Sequence, residues 1–114
     1  MKRLIGAVTI AMSIAISTSP AQAKWMDGNE LLAICDSSDS ADKIQCMGYI
    51  QGVLDASDSS LGSKEIPPVD TPDNVTAGQL KDIVIAYLKA NPEKRHTQAS
   101  DLVFTALVRA FGQK

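Results

Sequence analysis

The sequence predicts an all-α fold, a compact four- to five-helix bundle stapled by one disulfide. Three observations predict it. Apolar residues recur in helical rhythm in four segments, no run alternates apolar with polar residues, and one cysteine lies in each of the first two segments, Cys35 and Cys46.

Ahead of the bundle, Lys2-Arg3 precedes an apolar run from Leu4 to Ile16, and a polar stretch then ends in Ala21-Gln22-Ala23, a small-x-small cleavage pattern. That is the layout of a secretory signal peptide. The run of 13 residues is short of the ~20 that span a bilayer, and no second run follows it. The expectation is a signal peptide over 1–23 and a single exported helical domain over 24–114, with no membrane association after cleavage. Cleavage removes two of the 11 basic residues, so nine face 13 acidic ones and the formal charge becomes −4. A mildly acidic chain with scattered lysines lacks the basic patch that nucleic acid or an anionic membrane requires.

The first helix reads from Asn29 to Cys35, with apolar residues at 31, 32, 34 and 35 and with Asp27 or Asn29 as its cap. Asp36-Ser37-Ser38-Asp39-Ser40 breaks it. The second and central helix runs from Ala41 to about Ser57. Gly48, Gly52 and Ala56 form a strip at i, i+4 and i+8, flanked by Tyr49, Ile50, Val53 and Leu54. Glycine in a helix interior costs about 1 kcal/mol relative to alanine, so this pair implies another backbone packed close against the strip. In an oxidising compartment Cys35 and Cys46 are expected to pair. The 12-residue loop they close would contribute ~3 kcal/mol through loop-closure entropy. A metal site would need two more ligands at close spacing, and His96 is the only histidine on offer. No cofactor is expected.

Residues 57–74 carry Gly62, Pro67, Pro68 and Pro72 together with Asp58, Glu65, Asp70 and Asp73, and read as an irregular connector. Connectors of this length usually bind something or move. Thr76 and Gln79 form a capping box that opens the third helix, with Val75 placed to staple onto Leu80. Leu80, Ile83, Val84, Tyr87 and Leu88 give it an apolar face until Asn91-Pro92 stops it. A single turn is expected over Pro92 to Arg95. The last helix reads from about Thr97 to Phe111 on Ala99, Leu102, Val103, Ala106, Leu107, Ala110 and Phe111, and Gly112 ends it.

No catalytic constellation emerges from these elements. His96 sits in a loop between helices, no G-x-S-x-G surrounds a serine, both cysteines are claimed by the expected disulfide, and Asp55 with Asp58 reads as a solvated acidic face. The chain is expected not to be an enzyme.

Taken together, a cysteine in the first helix, Cys46-Met47-Gly48-Tyr49-Ile50-Gln51-Gly52, Val75-Thr76-x-x-Gln79-Leu80, Tyr87-Leu88-x-x-Asn91-Pro92-Glu93, Arg95-His96 and Ala99-x-x-Leu102-Val103 with Ala106-Leu107 and Ala110-Phe111 form a pattern. It resembles the Rap/Tai family of immunity proteins, over about Asn29 to Phe111. The resemblance implies a small periplasmic helical protein that protects a bacterium from peptidoglycan-cleaving amidase toxins injected by type VI secretion. Members are often described as dimers that block the toxin's active site, so a protein toxin and a homodimer are the implied partners. Relatives commonly carry two more cysteines, one before the Val75-Thr76 equivalent and one after the Ala110-Phe111 equivalent. Here those places read Ile66-Pro67-Pro68-Val69 and Gly112-Gln113-Lys114. Their joint absence implies that they bond to each other in relatives, leaving Cys35 with Cys46 here. The implied mechanism is occlusion without chemistry. Residues 57–74 would be the occluding segment, with Asp58, Glu65, Asp70 and Asp73 steering a basic partner. Two other functions fit the same composition: a periplasmic acid-stress holdase, which would shed its packing near pH 2 to 3, and an interaction module of this fold with no toxin partner.

Overall fold

A computed structural model describes residues 6, 14–16, 24–59 and 67–114. Glu65 and nearly all of the expected leader lie outside the described residues. Four helices and one short turn follow in order: α1 (Gly28–Cys35), α2 (Ser40–Asp58), α3 (Ala77–Ala90), a 3-10 turn (Pro92–Lys94) and α4 (Ala99–Phe111). Among the described residues no helix is long and apolar enough to cross a membrane.

Each helix begins where a side chain or a neighbouring carbonyl satisfies its first N–H groups. Of the two caps expected for α1, Asp27 takes the role: its carboxylate accepts from Glu30 N at 2.9 Å, while Glu30 Oε2 accepts from Asp27 N at 3.0 Å. Asp39 Oδ1 accepts from Ala41 N at 2.8 Å and opens α2 one residue earlier than expected. The capping box of α3 forms as read, with Thr76 Oγ1 accepting from Gln79 N and Gln79 Oε1 accepting from Thr76 N. α4 differs. It starts at Ala99 rather than Thr97, and Gln98 at its cap makes no side-chain bond. Instead Ala99 N donates to the Met26 carbonyl at 2.9 Å, so a distant strand of chain supplies the missing acceptor. Gly112, at φ 81°, closes α4 in a region open to glycine.

The apolar faces read from the sequence converge on one core. Leu31, Ile50, Val84, Leu88, Val103 and Leu107 are the largest of the fully enclosed side chains, so all four helices contribute. Burying each stabilises the fold by roughly 1.5–3 kcal/mol. Among the described residues no polar or charged side chain is buried. α1 packs on all three other helices, α2 lies against α3 and α4, and α3 pairs with α4. The Cys35–Cys46 disulfide, with Cα atoms 5.0 Å apart, staples α1 to α2.

Two short backbone clips hold the segments outside the helices. At the first, Gly28 N donates to Thr97 O at 3.1 Å and Asn29 N to Arg95 O at 3.0 Å, alongside the Ala99-to-Met26 bond and the Asp27–Gln98 bridge. This approach is so close that a Cβ on Gly28 would stand 2.5 Å from Leu102 Cδ1 and 2.9 Å from both Arg95 Cα and Arg95 O. At the second, the end of the connector pairs with the C-terminus through Val69 and Gln113.

The glycine strip of α2 corrects an expectation. A Cβ added to Gly48 or Gly52 would meet nothing within 4 Å, and both residues are exposed, as is Ala56. The core side of α2 is carried by Cys46 and Ile50, with Val53 and Leu54 half-buried, and the strip faces outward beside it. Among the described residues no element packs close against it.

Candidate partner-binding surface

Two adjoining features of the surface follow from how α2 is held. The first is an acidic cleft of about 260 Å³ between the end of α2, the connector after residue 67 and the C-terminus. Asp55 and Asp58 reach it from one helical face, and Asp73 from the connector, which Val69 anchors in the core. Lys114 enters from the C-terminus, with its Nζ 3.7 Å from Asp58 Oδ1. Both partners are more than half exposed, so this pair contributes little to stability.

The cleft gathers part of the acidic set read from the sequence. Asp58 and Asp73 line it, and Asp55, read as a solvated face, joins them. Asp70 is exposed but does not line it; its backbone N–H is spent on Gly112 O at 3.0 Å. Among the described residues no group of three or more His, Cys, Asp or Glu side chains is arranged to hold a metal. His96 is exposed on its turn, and both cysteine sulfurs are committed to the disulfide.

The second feature is an apolar groove of about 580 Å³ over the α2 strip. Gly52 and Ala56 form its floor, Tyr49 and Val53 one wall, and Trp25 with Met26 the other. Trp25 is 80 % exposed, and Ile44, one turn before Gly48 along the same strip, is 68 % exposed. The Tyr49 hydroxyl is held above its ordinary pKa chiefly by partial burial, and hydrogen bonding with Ser100 pulls the other way. The first clip fixes the wall that carries Trp25. Lys24 adds to it by donating to Glu30 Oε1 at 2.6 Å; this bond raises the Lys24 pKa and lowers that of Glu30. Sequence reasoning missed this groove because it took the small-residue strip for a packing face. Ile44 was the available signal: a large apolar residue on the strip's own line, outside the buried rhythm.

No curated protein and no solved structure matches the chain. The family model of the Rap1a immunity proteins, by contrast, matches residues 27–112, from the cap of α1 to the glycine that ends α4. The chain belongs to the Rap1a immunity protein family.

Proposed function

We propose that the protein protects its bearer by binding a peptidoglycan amidase toxin delivered by type VI secretion into the periplasm, where the exported domain 24–114 would meet it and occlude its active site. The observation that carries this reading is the family match across all four helices. The bundle is a rigid support that needs no chemistry of its own for the task. The acidic cleft supports the choice of surface: Asp58 and Asp73, with Asp70 and Glu65 in the same connector, would steer a basic toxin. The open α2 strip supports the homodimer, since a face of glycine and alanine lets a second copy's helix approach closely. A holdase triggered by acid is less well supported: among the described residues no charged side chain is buried, so protonation there acts only on solvent-accessible carboxylates such as Glu30, whose ion pairs contribute little.

The test is a pull-down of the disulfide-bonded mature protein against the exported proteins of its source, including any amidase encoded beside it. Recovery of one partner whose peptidoglycan hydrolysis is then blocked is the expected result. With that partner, replacing Asp58, Glu65, Asp70 and Asp73 together by their amides should slow association and flatten its salt dependence; an unchanged rate removes the cleft from the proposal. Capture of many unfolded proteins only after acidification would replace immunity by the holdase.

A further inference from the structure

The Cys35–Cys46 disulfide lies in the core rather than on it: Cys35 is 2 % and Cys46 0 % exposed. Thiol–disulfide exchange needs a thiolate to reach one of the two sulfurs. The native bundle offers no such approach, so exchange requires that α1 first come away. α1 is tied at both ends. At its start stand the capping box and the backbone bonds from Gly28 and Asn29 to the 95–97 segment. At its end Lys89 of α3 donates to Asp36 Oδ1 at 3.2 Å, and between them Leu31 is fully enclosed. Lifting α1 therefore uncovers the centre of the core that all four helices share.

We propose that the fold seals this disulfide: its redox state is set when the bundle packs, and it exchanges thereafter only through global unfolding. Chain packed after oxidation then keeps its cross-link in a reducing medium. With dithiothreitol as reductant, one thiolate attacks a cystine sulfur to give a mixed disulfide. The second thiolate displaces the remaining cysteine, leaving two protein thiols and a cyclic disulfide, a transfer of two electrons.

The experiment follows reduction of the oxidised protein by excess dithiothreitol, with alkylation and mass analysis, across a series of urea concentrations. Without urea the rate is expected to be at least about 10³-fold below that of the fully unfolded chain, the ratio set by the unfolding equilibrium. Its logarithm should rise with urea along the slope of global unfolding. A rate independent of urea below the unfolding midpoint, or one within tenfold of the unfolded chain, overturns the proposal. Lys89→Ala supplies a second reading. Faster reduction in step with lost global stability agrees with the seal, whereas faster reduction at unchanged stability shows that α1 opens alone and overturns it.

Discussion

Val69 and Gln113 stand opposite each other in an isolated antiparallel bridge, with Asp70 N donating to Gly112 O at 3.0 Å and Lys114 N donating to Pro68 O at 3.0 Å. Gln113 adds a side-chain bond to the Pro67 carbonyl at 2.8 Å. A backbone clip therefore ties the end of the connector to the C-terminus, without a covalent bond between the two segments. Val69, buried by it, brings the connector's end into the core.

Because the hydrogen bonds flank the pair rather than join it, Val69 and Gln113 form a non-hydrogen-bonded pair, in which Cα atoms lie about 4.5 Å apart. A disulfide accepts that spacing. Val69→Cys with Gln113→Cys is expected to oxidise spontaneously and to raise stability by about 2–4 kcal/mol, read from urea unfolding with and without reductant. Thiols that persist under oxidising conditions would contradict this geometry.

Replacing both native cysteines by alanine should act in the opposite direction. α1 has eight residues, too few to hold as a helix without tertiary support, and loss of the staple is expected to cost about 2–5 kcal/mol. Urea titration of the double variant against the oxidised protein measures it.

Gly28 and the two glycines of the α2 strip differ in kind, and alanine scanning tells them apart. Gly28→Ala forces a Cβ into Leu102 and the Arg95 backbone and should cost about 1–3 kcal/mol. Gly48→Ala and Gly52→Ala meet open space and should each stabilise the monomer by about 0.5–1 kcal/mol through helix propensity. If a second copy or a toxin covers the strip, the same two changes weaken that association while the monomer gains, a split readable by sedimentation alongside thermal unfolding.

The Lys24–Glu30 pair gives stability a pH signature. Glu30 is held below 4.5 first by the Lys24 bond and then by the Asp27 N–H, so its contribution is present above that ordinary value and is lost as pH falls through the lower folded-state value. Lys24 is raised above 10.5 by Glu30, so its contribution is present below 10.5 and is lost as pH rises through the higher folded-state value. Glu30→Gln keeps an acceptor for Asp27 N but loses the ion pair. The fall in Tm expected at pH 7 is small because the exposed pair is screened, and none is expected at pH 2, where protonation of the carboxylate has already removed the pair.

The helices were legible in the sequence because their signals are local. Thr76 and Gln79 define a cap within four residues, and Leu102, Val103, Ala106 and Leu107 define a face within six, so the α3 box and the α4 core side needed no tertiary knowledge. What was not legible depends on partners distant in the chain. The true start of α4 is set by the Met26 carbonyl, and Asp55 and Asp73 meet only because Val69 docks beside Gln113. The α2 strip was misread for a related reason. Glycine spacing shows that a backbone can be approached, and the sequence does not say whether the approaching body belongs to the same chain.

The placement of Trp25 gives the protein a built-in optical probe. It is the sole tryptophan, and at 80 % exposure its indole is in water both before and after unfolding. Its emission will therefore change little as the bundle melts, while any body settling over the α2 groove will shift it to shorter wavelength. Fluorescence in this molecule reads occupancy of a surface, and helicity must be followed by circular dichroism.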